Sequence, residues 1–477
     1  MREGPGGLEG LADALDSDLA AADAALAERF PGPAATRQPV HTLYLPAERV
    51  HAGVVPEVGA AALEAFDTHL PDTSALAGVF GDLLAGALDL EREAASLHTL
   101  VRDKLAREPV EDLRIDFEDG FTQRGVPADA RDRDEDAHVD RVLADLVATR
   151  TASEQRGPDS SSLSSSTPSS APSLPPFWGL RFGSLDPRTR RRGIRTFTRF
   201  VGGLAAGGGL HGNHASGFRP TLPKVTSVDQ VRAMVRMCRE LEQATGLAER
   251  TLGFEIQIET PQSICGPDGS ALVARLVHAA DRRCIGLHYG TYDYSAACGI
   301  AAEYQAMDHP VADHAKAVMQ VAAAGTGVAL SDGSTNRLPV GEADAVLPAW
   351  QLHARLVDRS LRRGFYQGWD LHPAQLVSRY VATYAFYRRS LPTAGARLSA
   401  YLGSTVDGRA GSAGYLDEPA TARALADFCV RALDCGAATD AEVEELTGAD
   451  RAALDRLRRP RSGRADLAAH RPAESTT

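Results

Sequence analysis

The sequence lacks the features that mark several classes of protein. Its six cysteines lie between residues 238 and 435 without a C-x-x-C pair, so neither a zinc ribbon nor a redox dithiol is indicated. No run approaches the roughly 18 apolar residues that cross a bilayer. The first thirty residues carry acidic side chains from Glu3 to Asp18 where a signal peptide would have an apolar core. We expect a cytoplasmic protein without a membrane partner.

Aromatic residues and net positive charge are also scarce. The chain has 6% aromatic residues, and 51 basic against 63 acidic side chains give a net charge of −12. That balance opposes binding to a phosphate backbone, so nucleic acid is not an expected partner. With 43% hydrophobic and 24% charged residues, the composition is that of a soluble globular protein. A length of 477 residues allows one large enzyme domain with additions, or two to three smaller domains.

Eight segments are rich in β-branched and apolar residues, and most of them precede a segment with helical spacing. These predicted strands are 41–45, 113–117, 177–182, 218–224, 253–259, 284–289, 327–330 and 365–371. Eight strands alternating with helices favour an α/β fold of the (β/α)8 TIM-barrel type over an open doubly wound sheet, the alternative. We expect the barrel at residues 39–390, an N-terminal helical extension (1–38) lying against it, and a C-terminal helical module (391–477) with a frayed tail.

One stretch departs from this composition. Between residues 151 and 176, ten of the residues are serine and five are proline. So little apolar content cannot offset the entropy lost on ordering. The sequence therefore predicts a disordered surface insertion inside the barrel domain.

Polar residues at strand ends are the candidates for chemistry, because barrel active sites lie at the C-terminal ends of the strands. In the segment 253–259, Glu255, Gln257 and Glu259 alternate with apolar residues, so all three should face the barrel interior. Buried carboxylates require a cation, which can be a metal or an arginine. The alternative is an internal layer of salt bridges.

A second acidic residue follows the next predicted strand. Asp293 lies in the sequence Gly290-Thr-Tyr-Asp, one strand beyond Glu259. Two carboxylates on neighbouring loops suit a hard divalent cation such as Mg²⁺ or Mn²⁺, which also takes oxygens from water and substrate. Alternatively, Asp293 caps the helix that follows.

Earlier in the chain, an acidic turn and an arginine fall at two more strand ends. Asp116, Glu118 and Asp119 follow one strand and could act as a general acid or base, or contact a metal through water; an acidic turn is equally common by chance. Arg181 ends the next strand, and its guanidinium matches a carboxylate with two hydrogen bonds. The alternative is that Arg181 only neutralises Glu118 or Glu255.

Two further residues are weaker candidates. By alternation, Lys224 faces outward with Phe218 and Leu222, and only an irregular strand end beside Pro223 would turn it inward. His372 closes the last predicted strand, where it could contact a substrate. A histidine before a proline at a strand end is more often structural.

These motifs occur in an order that resembles the HpcH/HpaI aldolase and citrate lyase beta-subunit family, whose pattern is D-L-E-D, R-x-N, P-K-V, I-E-T, G-x-x-D-L and I-H-P-x-Q. The matching segments begin at Asp116, Arg181, Pro223, Ile258, Gly290 and Leu371, within a region of roughly residues 40 to 390. Two departures are Gly183 in place of the asparagine of R-x-N, and Gly120 after the acidic turn. The asparagine loss bears on substrate identity more than on the metal site.

The resemblance implies a (β/α)8 barrel enzyme that cleaves or forms a carbon–carbon bond next to the enolate of a small 2-oxo acid, with or without a CoA thioester. It implies Mg²⁺ or Mn²⁺ at Glu259 and Asp293, and Arg181 as both substrate anchor and catalytic residue. Glu118, Asp119 and Lys224 are the other catalytic candidates, and Gln257 and His372 are substrate-binding candidates. A homo-oligomer is expected. The alternatives are a phosphoenolpyruvate-handling phosphotransferase and a noncatalytic protein that binds metal and oxo acid.

Overall fold

The computed structural model describes residues 10–34, 36–85, 89–154, 174–210, 217–407 and 418–459. Most of the serine- and proline-rich insertion and of the C-terminal tail lies outside these residues. Eight parallel strands form the centre of the fold: β1 (His41–Pro46), β2 (Asp112–Asp116), β3 (Phe177–Arg181), β4 (Thr221–Leu222), β5 (Phe254–Ile258), β6 (Cys284–Tyr289), β7 (Ala329–Ser331) and β8 (Gly368–Asp370).

The strands close into a barrel. Their order is β7-β6-β5-β4-β3-β2-β1-β8, and every neighbouring pair is parallel. A parallel bridge between Ser331 and Gln367 joins β7 to the start of β8, with Asp332 N donating to Gln367 O at 2.8 Å. The predicted (β/α)8 TIM barrel is therefore confirmed.

Helices surround the barrel and extend beyond it. Their bounds are Leu11–Arg29, Val54–His69, Thr73–Leu84, Leu90–Arg107, Arg131–Glu154, Arg190–Ala206, Val228–Thr245, Pro261–Ile264, Leu272–Ala279, Thr291–Ala297, Pro310–Ala323, Ala343–Arg362, Gln375–Asp407, Pro419–Cys435, Asp440–Thr447 and Arg451–Leu457. Short 3-10 turns lie at Ala47–Arg49 and Ala302–Tyr304. Within the described ranges, no helix is both long and apolar enough to cross a membrane.

Side chains alternate along each strand between the surrounding helices and the interior of the barrel. Leu43, Ile115, Leu180 and Ile256 are buried between the strands and the surrounding helices. The residues between them point into the lumen of the barrel, where ion pairs such as that of Arg114 with Glu255 fill the space. The lumen is therefore polar, and its upper end is the floor of the site described below.

Two local expectations differ from the structure. The predicted strand 218–224 reduces to two residues, because Pro220 and Pro223 flank them and supply no backbone N–H. The N-terminal helix Leu11–Arg29 forms, but none of its residues is buried, so it does not pack against the barrel as expected. Its leucines alternate with too many alanines and aspartates to form a broad apolar face.

The last barrel helix continues past the expected domain boundary. Helix Gln375–Asp407 includes Pro392 and runs through residue 390 without a break. The Tyr384 hydroxyl donates to Cys435 O at 2.8 Å, and the rings of Tyr387 and Phe428 lie 5.1 Å apart. The C-terminal helices thus share one hydrophobic core with the barrel.

Candidate active site

The acidic turn after β2 is held together by Asp116. Its carboxylate accepts hydrogen bonds from Glu118 N at 3.0 Å and Gly120 N at 2.8 Å. A Cβ on Gly120 would lie 2.3 Å from Asp116 Oδ2, which explains the glycine that departs from the family pattern. The turn therefore presents Glu118 and Asp119 at the C-terminal end of the barrel.

Arg181 reaches this turn from β3. Its Nε and Nη2 donate to the two oxygens of Asp116 at 2.8 and 2.5 Å, and its Nη1 lies 3.5 Å from Glu118 Oε2. The guanidinium also lies 5.0 Å from the centre of the Tyr44 ring. One edge of the guanidinium is thus occupied by Asp116, and Nη1 is directed toward Glu118.

Lys224 points into the site, against the alternation of the strand. Its φ of +51° turns the chain just after Pro223. The ammonium Nζ then lies 2.8 Å from Asp119 Oδ2, 3.0 Å from Asp293 Oδ2 and 3.4 Å from Glu118 Oε1. The irregular strand end therefore brings Lys224 together with three carboxylates.

The two predicted metal ligands flank Lys224. Glu259 is buried, and its Oε1 accepts from the backbone N of Lys224 at 2.7 Å. It packs on Gly290, where a Cβ would lie 2.4 Å from Glu259 Cβ. Asp293 lies in the first turn of helix Thr291–Ala297. The N-cap position of this helix is Gly290, which has no side chain. Asp293 binds Lys224 and does not cap this helix.

Burial and mutual repulsion raise the pKa of two of these carboxyl groups. Burial raises the pKa of Glu259 to about 7, Asp293 adds to the rise, and Lys224 opposes it. Burial likewise raises the pKa of Glu118 to about 8 against the charges of Arg181 and Lys224. Burial raises the pKa of Asp119, but the hydrogen bond and charge of Lys224, together with Glu118 and Arg181, lower it by more, so the net shift is downward.

These residues fit a hard divalent cation. Among the described residues, no three or more histidine, cysteine, aspartate or glutamate side chains are grouped as a metal site. The pair Glu259 and Asp293 suffices for Mg²⁺, however, since this ion keeps several waters and accepts substrate oxygens. The donors are all oxygen, and the Lys224 ammonium already lies against Asp293. The carboxylate pair thus supplies the type of donor that such a cation prefers.

The other two inward-facing residues of β5, Glu255 and Gln257, have different surroundings. Glu255 lies 3.0 Å from Arg114 Nη2, 3.1 Å from His288 Nε2 and 3.9 Å from Arg219 Nη1. This residue therefore belongs to an internal layer of salt bridges, which was the alternative prediction. Gln257, one step nearer the site, is fully buried. Neither of its amide atoms has a hydrogen-bond partner among the residues that the structure describes.

His372 lies on the loop after β8. Its Nδ1 accepts from Ala374 N at 3.2 Å, in the turn that leads into helix Gln375–Asp407. Burial, with a smaller effect from Arg49, lowers its pKa. The described contacts of His372 stabilise a turn, and none of them is with the carboxylates around Lys224. Its role in binding substrate therefore stays a prediction.

Two residues of the site were missing from the sequence prediction, and the role of a third, Asp116, was incomplete. Tyr44 and Trp369 face the lumen from β1 and β8 with ring centres 4.6 Å apart, and Trp369 Nε1 donates to His288 Nδ1 at 3.0 Å. Alternation along β1 and β8 would have placed both aromatic side chains inside. Asp116 was part of the acidic turn, but only the fold reveals it as the partner of Arg181.

Comparisons with known proteins give one family and several distant relatives. A family described as "Domain of unknown function (DUF6986)" matches residues 19–462. The L-malyl-CoA/beta-methylmalyl-CoA lyase of Haloarcula marismortui is 33% identical over 114 residues, which are 24% of this chain and 29% of that enzyme. The match therefore spans less than a third of the relative's length. It confirms the resemblance that the motifs predicted.

Two solved structures are similar to the chain at low identity. The magnesium/glyoxylate complex of malate synthase from Haloferax volcanii is 14% identical with a TM-score of 0.42, covering 88% of this chain and 97% of that one. The citrate lyase beta subunit of M. tuberculosis, complexed with oxaloacetate and magnesium, is 15% identical with a TM-score of 0.37, covering 73% and 98%.

Proposed function

We propose that the chain, which belongs to the DUF6986 family, is a Mg²⁺- or Mn²⁺-dependent carbon–carbon lyase acting on a small 2-oxo acid. The observation that carries this proposal is the cluster of carboxylates around Lys224 beside Arg181, at the C-terminal end of the barrel. The similarity to a malyl-CoA lyase supports the same chemistry and adds CoA thioesters to the substrates to be tested.

Each residue has a role that follows from its contacts. Glu259 and Asp293 would hold the cation, which when bound supplies Lewis-acid polarisation of the 2-oxo group. Arg181 would anchor the substrate carboxylate through Nη1, because Asp116 fixes the other edge of the guanidinium. This pairing orients the substrate before reaction, which lowers the entropy cost of reaching the transition state.

The acid/base step belongs to the acidic turn. As the carbon–carbon bond breaks, the hydroxyl group on the departing carbon loses its proton and becomes a carbonyl, and the electron pair of the broken bond stays on the carbon next to the oxo group. Glu118 or Asp119 would accept the hydroxyl proton and return a proton to that carbon. Lys224 bridges Asp119 and Asp293, so it fixes the acidic turn relative to the metal ligands. Gln257 below the cluster and His372 beyond it would contact the remaining polar groups of the substrate.

Replacement of the two ligands tests the metal site. We expect Glu259→Gln and Asp293→Asn each to abolish the calorimetric signal of Mg²⁺ binding and turnover, with circular dichroism unchanged. The matched control is Glu240→Gln, since Glu240 is an exposed acid that pairs with Arg236 on the outer surface. An unaltered Mg²⁺ affinity in both ligand variants would refute the assignment.

A substrate screen tests the reaction. The purified chain with Mg²⁺ is incubated with 4-hydroxy-2-oxo acids and acyl-CoA esters, and release of pyruvate or glyoxylate is followed. We expect turnover of at least one compound that is lost in Glu259→Gln. Tight binding of oxo acids without turnover across the panel would instead indicate a noncatalytic binding protein.

A further inference from the structure

We propose that Tyr44 and Gln257 form a neutral polar floor below the metal ligands, and that this floor binds an uncharged hydroxyl or carbonyl group of the substrate. The Tyr44 hydroxyl and both amide atoms of Gln257 are buried without a hydrogen-bond partner in the described part of the chain. Their side chains belong to residues only 5% and 0% exposed. Buried polar groups in folded proteins almost always have a partner, so these three atoms are available to bind a polar group of a ligand.

The two residues lie on opposite walls of the lumen. Strands β1 and β5 are four positions apart in the eight-stranded order, so inward side chains at the same level face each other. Gln257 lies on β5, two residues before Glu259, so it is one inward-facing position below that proposed metal ligand. Tyr44 lies against the Arg181 guanidinium. A substrate held by Arg181 and the cation would therefore extend its other end toward the floor.

The rings of Trp369 and His288 connect Tyr44 to the neighbour of Gln257. Trp369 packs on Tyr44 and donates to His288, which is the Cα neighbour of Gln257 across β5 and β6. The Tyr44 ring is thus held between Trp369 and Arg181, and its hydroxyl keeps a fixed direction. Such a preorganised group can distinguish ligands by one hydrogen bond.

The charge around the floor argues for an uncharged ligand group. Below the floor, Glu255 is balanced by Arg114 and lies close to Arg219. Above it, Arg181 is paired with Asp116. Each of these cations already has a carboxylate partner, so a second carboxylate or a phosphate would add a buried charge that nothing balances, which is strongly unfavourable. The proposal rests on the proposed function, and it narrows the substrate to a 2-oxo acid with a further neutral oxygen.

Three near-isosteric acids test the floor. We would measure by calorimetry, with saturating Mg²⁺, the binding of 3-hydroxypyruvate, 2-oxobutanoate and ketomalonate, which end in a hydroxyl, a methyl and a carboxylate group. We expect the native chain to bind 3-hydroxypyruvate at least about tenfold more tightly than the other two, which is about 1.4 kcal/mol. In Tyr44→Phe and Gln257→Met, this preference should fall at least about fivefold.

Stability separates the proposed role from a structural one. Because no hydrogen bond is lost, the ligand-free variants Tyr44→Phe and Gln257→Met should melt at or above the native temperature. The control is Thr42→Val, which removes a hydroxyl that donates to Asp112 at 2.8 Å. It should lower the melting temperature and keep the preference for 3-hydroxypyruvate.

The possible failures are distinguishable. An unchanged preference in both floor variants, a native preference for ketomalonate, or a lower melting temperature for ligand-free Tyr44→Phe would each overturn the floor. Equal binding of all three acids would overturn the floor and leave the proposed function standing. If none of the three acids binds in the presence of Mg²⁺, the floor and the 2-oxo acid function both fail.

Discussion

Replacing Lys224 by methionine should tighten Mg²⁺ binding, because the ammonium competes with the ion for the same carboxylates. Lys224 Nζ lies 3.0 Å from Asp293 Oδ2, and Mg²⁺ binds oxygens at about 2 Å. The ammonium and the ion would thus be within about 5 Å of each other. At this separation the repulsion between charges of +1 and +2 is about 2 kcal/mol in water and about 7 kcal/mol at an effective dielectric constant of about 20.

The lower figure sets the expectation, since the Lys224 side chain is 28% exposed and solvent screens it. We therefore expect Lys224→Met to bind Mg²⁺ at least about tenfold more tightly in a calorimetric titration at low ionic strength. Without Mg²⁺ the variant should unfold at a lower temperature, because the carboxylates lose their shared cation. Arg236→Met is the control, as Arg236 is an exposed cation on the outer surface. Unchanged or weaker Mg²⁺ binding would refute competition between lysine and metal.

Two further substitutions test other parts of the barrel. Gly290→Ala places a Cβ 2.4 Å from Glu259 Cβ. We therefore expect the unfolding free energy to fall by about 1–3 kcal/mol and the calorimetric signal of Mg²⁺ binding to be lost. Native values of both quantities would contradict this packing. Despite burial, Lys104 and Arg37 lower the pKa of Glu111 from 4.5 to about 2. Its ionised form should therefore stabilise the fold above about pH 4.5, by at most about 3 kcal/mol. This contribution is lost as the pH falls toward 2. Between pH 4.5 and about pH 2, the unfolding free energy measured with urea should therefore fall less in Glu111→Gln than in the native chain.

Much of the fold could be predicted because it depends on local patterns. The alternation in 253–259 predicted that Glu255, Gln257 and Glu259 share the interior face, and the structure agrees. Lys224 was a candidate, but alternation could not predict that its side chain points inward, because this direction depends on one positive φ after Pro223. A residue in that conformation follows neither of the two faces of a strand.

Long-range pairings account for the rest. The pairing of Arg181 with Asp116 joins residues 65 positions apart in the chain, and only the neighbouring positions of β2 and β3 bring them together. The boundary expected at residue 390 lies just before Pro392, a residue that usually interrupts helices. Here the helix continues because contacts such as the packing of Tyr387 on Phe428 stabilise it. Tertiary packing overrides local preference at such positions.

The closure between β7 and β8 has a consequence for how the lumen can change its width. Strands β5 and β6 are paired through five residue positions, whereas the junction near Ser331 and Gln367 has one bridge, with Trp369 N donating to Gly333 O at 3.1 Å. Fewer backbone hydrogen bonds make local separation less costly there than between β5 and β6. Trp369 borders this junction, so a small parting of the two strands would enlarge the space next to Tyr44 while β5, which leads to Glu259, keeps its position.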